Sequence, residues 1–244
     1  MAKAAGLAME FYFQGYDLSG DIASIENMGS PRTTLPITGI NKSAMERVYG
    51  KIDAVLAFTS WFNDAAGQQH LALRGLPTTD VDVLVALRGG AKGSSAGFIG
   101  DGKQPDLSHS RGVDGSLTAK GNMLANGKAW EYGTILLAKA TISGTGNSTS
   151  EDNSGSSSAG LAGIIHLTAF SGTNYTATIQ DSTNNICFCS LKAFAQITAV
   201  NKSERVTVSG TVNRYLRVNH AGSFTSVDVV VATRRGESTD KEGY

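Results

Sequence analysis

The chain has 244 residues, enough for one large domain or two small ones. Hydrophobic residues make up 41%, which argues against global disorder, and Lys plus Arg balance Asp plus Glu at 21 each, which argues against a broad basic surface for nucleic acid. Cys187 and Cys189 are the whole thiol inventory, which excludes a disulfide-dense scaffold and a four-cysteine zinc site.

No apolar run approaches the ~20 residues of a membrane-spanning helix. The segment from Met1 to Glu10 is too polar for a secretory signal. The expectation is a soluble protein made in a cytoplasm, with no membrane partner.

The first part of the chain mixes strand signals with two short helical candidates. Asn41 to Val48 carries Ser43 and Glu46 at capping-box spacing and reads as a short helix. Val55 to Phe62 alternates as a strand that is apolar on much of both faces, which places Trp61 in the core. Asn63-Asp64 then caps a helix to about Leu76, which Pro77 ends. Asp80 to Leu87 is the cleanest strand, with Val81, Val83, Val85 and Leu87 on one face. Further strands are expected near 96–103, 115–124 and 129–142, the last placing Trp130 in the core.

Residues Ser143 to Ser158 read SGTGNSTSEDNSGSSS, without a large apolar side chain. Such a segment cannot offset its ordering entropy by burial, so it reads as a flexible linker. The division expected is an assembly domain over 1–142, a linker over 143–158, a β-sandwich over 159–235 and a charged tail over 236–244. In the second part, strands are expected near 161–170, 175–180, 186–190, 204–209, 213–218 and 224–233. That spacing points to a jelly-roll or Ig-like sandwich.

The chemistry-bearing patterns are sparse. Gly89 to Ser95 follows a strand, as a phosphate loop does, but Lys92 precedes Gly93 instead of following the last glycine, so a hairpin loop is expected. Asp80 and Asp82 read as the polar face of a strand before they read as a metal pair. Cys187 and Cys189, at i and i+2, do not easily bridge and make a poor metal site by themselves. His70, His109, His166 and His220 are scattered in sequence, and no serine stands in a nucleophile elbow. Neither a catalytic residue nor a cofactor is expected.

Four stretches carry a resemblance. Gly15 to Ile22 (GYDLSGDI), Thr38 to Arg47 (TGINKSAMER) and Phe58 to Asn63 (FTSWFN), followed by Gly112 to Thr118 (GVDGSLT), resemble the major tail (tail tube) proteins of long-tailed bacteriophages and their prophage relatives. The resemblance implies a mainly β fold: a tail-tube-like β-sandwich or half-barrel with a flanking short helix, and an appended C-terminal β-sandwich. It implies hexameric rings stacked into a hollow tube for DNA, in contact with tape-measure, terminator and baseplate proteins. The location implied is the virion tail, after assembly in the host cytoplasm. A capsid decoration or head fibre protein, or a virion carbohydrate-binding module, remains the alternative.

Between strong strand signals, Ser24 to Thr38 holds few large apolar groups and several chain breakers. It is the candidate inter-ring arm, with Ser24, Ile25, Met28, Gly29, Pro31, Leu35, Pro36 and Ile37 as its marked residues, ordering on assembly.

Overall fold

The computed structural model describes residues 7–236. The expected charged tail lies outside these residues except for Gly236. The fold is mainly β, as expected. In chain order the elements are β1 (Glu10–Phe13), β2 (Tyr16–Asp17), β3 (Ile22–Gly29), β4 (Arg32–Pro36), β5 (Arg47–Ile52), β6 (Val55–Trp61), α1 (Gln69–Leu73), β7 (Val81–Ala86), β8 (Ser95–Arg111), β9 (Leu117–Ala125), β10 (Glu131–Ile142), β11 (Gly146–Asn147), β12 (Glu151–Asp152), β13 (Leu161–Ser182), β14 (Cys189–Ala193), β15 (Lys202–Val208) and β16 (Tyr215–Arg235). No helix among the described residues is long and apolar enough to cross a membrane.

All strands but β4 and β5 join one antiparallel sheet. Its main path runs β14-β13-β16-β10-β8-β7-β1-β2, with a branch from β8 through β9 and β6 to β3. Alternation along these strands fills three cores. Phe11, Leu56, Phe58, Val83 and Ile99 anchor one under the branch. Leu136, Ile165, Tyr175, Ile179, Val218 and Val229 anchor another, between the long strands and β14–β15. The third lies between them: Tyr12, Leu84 and Phe98 from the first part of the chain meet Ile135, Ile164 and Val230 from later strands. The strand β7 therefore has no polar face of the expected kind. Val81, Val83 and Val85 point into one core and Leu84 and Ala86 into another.

This middle core spans the expected division at 142. The strands β10 and β16 pair from Thr134↔Thr233 to Ile142↔Val227, so the two parts share a sheet as well as a core. The Ser/Gly-rich stretch expected as a free linker continues along β16, where β11 pairs with Asn219–His220 and β12 with Tyr215–Leu216. Lacking apolar groups, it is held by polar ones. The Ser148 amide donates to the Val218 carbonyl at 2.8 Å, and the Val218 amide donates back to Ser148 Oγ at 2.9 Å. Ser157 and Val212 exchange both backbone bonds, at 2.9 and 2.7 Å.

Two pairs of expected strands are each one strand. The strands β13 and β16 pair from Leu161↔Arg235 to Ser182↔Tyr215, with irregularities around Gly172. There the chains come so close that a Cβ on Gly172 would lie 2.4 Å from Phe224 Cα. Glycine thus marks a bend in a continuing ladder, where turn chemistry had been expected.

The sheet curls until β13 and β15 meet the β1–β2 turn. Gln14 and Gly15 form this two-residue turn with φ of 49° and 80°. The Gly15 amide donates to His166 Nδ1 at 3.1 Å. A Cβ on Gly15 would sit 2.3 Å from the Lys202 nitrogen, so both the turn and the seam require glycine.

The expected helices shrink or vanish. The helix α1 keeps only Gln69–Leu73, because Gly67 (φ 78°) and Leu76 (φ 40°) break the pattern on either side, and of its leucines Leu73 alone reaches the core. Asn41 to Val48 is not helical. Glu46 instead bonds across a hairpin: its carbonyl accepts from Ile37 at 2.9 Å and its amide donates to Thr38 Oγ1 at 2.8 Å. Trp130 is buried as expected, and its Nε1 donates to the Val55 carbonyl at 2.9 Å. Trp61, expected in the core, is half exposed at the end of β6.

Candidate assembly surface

The strands β4 and β5 bond only to each other, as a separate two-stranded sheet. Their register runs Arg32↔Ile52, Thr34↔Tyr49, Leu35↔Val48 and Pro36↔Arg47. The base is closed by the Asp53 amide, which donates to the Pro31 carbonyl at 3.0 Å. Near the tip, Lys42 and Glu46 form an ion pair at 3.2 Å.

Every residue from Pro31 to Tyr49 is exposed. Leu35 and Ile37 are 54% and 57% accessible, Tyr49 is 75% accessible, and Ile40 at the tip is fully so. Met45 and Val48 add to this apolar display. An isolated two-stranded hairpin is marginal in water, and a contiguous exposed apolar patch marks an interaction site. The hairpin is also basic within a neutral chain: Arg32, Lys42, Arg47 and Lys51 face a single carboxylate, Glu46.

The marked arm residues divide between two places. Ser24, Ile25, Met28 and Gly29 belong to β3 and pair with Thr59, Phe58, Leu56 and Val55 of β6. Ile25 and Met28 pack on the core beneath the branch. This half is fixed in the sheet because its apolar groups are spaced to reach that core. Pro31 marks the exit, and Leu35, Pro36 and Ile37 lie on the projecting hairpin. The returning strand, with Val48 and Tyr49, lies where the capping-box spacing predicts a helix up to Val48. The run Arg47-Val48-Tyr49, with a β-branched and an aromatic residue, was the available signal.

The other candidates are engaged singly. Lys92 of the glycine-rich loop donates to the Ser150 carbonyl at 2.6 Å and to Thr149 Oγ1 at 3.1 Å, in a loop that joins β7 to β8. Asp80 pairs with Lys103 at 2.8 Å, and that bond holds its carboxyl below the usual range. Asp82 is pushed the other way by burial. Cys187 and Cys189 are free and exposed. Among the described residues, no three His, Cys, Asp or Glu side chains gather as metal ligands.

Buried histidines stand apart from the hairpin. His166 is fully buried, and desolvation pushes its pKa down to about 3. Because Nδ1 accepts the Gly15 amide, the proton of the neutral ring sits on Nε2, which has no hydrogen-bond partner among the described residues. His220 is also shifted down by burial, and its Nδ1 lies 2.8 Å from the Tyr175 hydroxyl.

No known family model matches the chain, and no curated protein sequence matches it. Two solved structures overlap with it in part. One is the Dit (gp 19.1) protein of SPP1, described as a paradigm of the hub adsorption apparatus in phages infecting Gram-positive bacteria. It shares 13% identity, with a TM-score of 0.32 over 93% of this chain and 99% of that one. The other is the infectious bursal disease virus Gx strain, at 12% identity and a TM-score of 0.26 over 97% of this chain and 60% of that one. Both scores fall short of a shared fold.

Proposed function

We propose that this chain is a structural, non-catalytic protein of a phage virion and that it self-assembles through the β4–β5 hairpin. The observation that carries the reading is the hairpin itself. It projects Leu35, Ile37, Ile40, Met45 and Tyr49 into solvent with no second layer to cover them. Covering such side chains stabilises by about 1.5–3 kcal/mol for each that becomes fully buried. A second copy of the chain is the occupant proposed, because a hairpin repeated around a closed ring makes each docking reinforce the next. The basic hairpin calls for an acidic receiving surface.

The finer reading is a tail tube of stacked, hexameric rings through which DNA passes, with tape-measure, terminator and baseplate proteins as neighbours. It rests on the sequence resemblance, which covers most of residues 10–140. Electron microscopy of the purified full chain tests both levels. Rings or tubes are expected, and a variant with residues 32–52 replaced by a two-residue turn should remain monomeric. A monodisperse monomer at high concentration would refute self-assembly. Isolated trimers would instead favour a decoration or fibre protein.

A further inference from the structure

Two histidines separated by 39 positions meet on the surface. His70 lies on α1 and His109 on β8, and His70 Nδ1 stands 3.3 Å from His109 Nε2. We propose that this pair is a binding site for a divalent transition-metal ion of the zinc, nickel or copper class, with water completing the coordination. The ligand type fits, since neutral imidazole suits these ions.

The spacing fits as well. Two nitrogens each 2.0–2.1 Å from a tetrahedral ion stand roughly 3.3–3.4 Å apart. The observed 3.3 Å matches that edge and is long for a hydrogen bond, which for an N–H donor is ordinarily about 2.7–3.2 Å.

Both rings are also held in place. Phe62 packs against each, with centroid separations of 4.8 Å to His70 and 5.8 Å to His109. The His70 amide donates to the Asn63 carbonyl at 2.9 Å. Asp21 fixes the start of α1 by accepting from the Gln69 amide at 2.9 Å and from Asn63 Nδ2 at 2.8 Å. His109 sits in the β8–β9 ladder opposite Ala119. A site whose ligands come from two fixed elements loses little freedom on binding. The bound ion would clip the short helix to the far part of the β8–β9 hairpin.

The test is calorimetric titration of the full chain with zinc chloride, then nickel chloride, in a non-chelating buffer. It uses a Cys187→Ser, Cys189→Ser background, so that no heat can come from the two exposed thiols. Saturable binding at one equivalent, reversed by EDTA, is expected. His70→Ala and His109→Ala should each abolish the saturable heat with unchanged circular dichroism. His109→Gln keeps a hydrogen-bonding partner but no metal ligand and should also lose binding, which guards against a folding defect in the alanine variants. Absence of saturable heat, or equal binding in His109→Gln, would overturn the site and leave a simple hydrogen-bonded pair.

Discussion

Glu131 accepts from both Nε and Nη2 of Arg205, at 2.5 and 2.7 Å, and so ties β10 to β15 across the seam of the curled sheet. Both side chains are nearly buried, at 7% and 9% exposure. The Arg205 stem also lies against Gly100, where a Cβ would meet its Cδ at 2.2 Å.

This pair should show the asymmetry of buried ion pairs. Glu131→Gln removes the carboxylate that Arg205 shares with Arg234, whose Nη1 lies 3.9 Å away, and should cost about 3–5 kcal/mol. Replacing both, as in Glu131→Leu with Arg205→Met, should cost clearly less. Urea unfolding of the single and double variants measures the difference. Equal losses would mean that the pair is not desolvated as the structure shows.

The shared middle core predicts the behaviour of fragments. A chain ending at Ile142 removes Ile164 and Val230 and uncovers Tyr12, Leu84 and Phe98. It should lack a cooperative thermal transition, whereas two independent domains would leave it folded. Within the intact chain, Ile164→Ala should cost about 2–5 kcal/mol.

Acid should weaken the fold through His166. The pKa of its buried ring lies near 3, below the ordinary 6.5, so the unfolded chain takes up a proton that the folded chain refuses. Its contribution is complete above pH 6.5 and is lost as pH falls from 6.5 toward 3, by about 1.4 kcal/mol per pH unit. His220 acts in the same direction. His166→Asn, whose Oδ1 can accept the Gly15 amide, should flatten the fall in unfolding free energy between pH 6.5 and 4. A parallel pH curve for the variant would assign acid sensitivity elsewhere.

Hairpin substitutions should separate assembly from stability. Ile37→Ser and Ile40→Ser alter exposed side chains, so unfolding free energy should stay within about 0.5 kcal/mol of the parent. Under the proposed function, sedimentation of the same proteins should show assembly lost. A stability loss without an assembly defect would place the hairpin in the fold and not in an interface.

The strands were legible where one face or both meet a core. Val81, Val83 and Val85 and the alternating Val227, Val229 and Val231 announced themselves by period. Two things were not legible. The stretch from Ser143 to Ser158 is ordered by backbone pairing with β16, and pairing of that kind leaves no mark in side-chain composition. The meeting of His70 with His109, like that of Gly15 with His166, depends on how far the sheet curls, which no local window contains. The hairpin was half visible: its breakers marked an exit from the sheet, but the capping-box spacing of Ser43 and Glu46 drew its returning strand toward a helix.

The middle core also sets an order of events during synthesis. Tyr12, Leu84 and Phe98 are made early, but Val230 and Ala232, which help close over them, stand near the end of the described chain. Pairings this distant in sequence form slowly. Until β16 emerges from the ribosome, the nascent chain holds an open apolar trough that this strand must fill. Vulnerability to aggregation is therefore greatest before β16 emerges, and a chaperone that shields the trough until then would raise the yield of folded protein more than one that acts after β16 has docked.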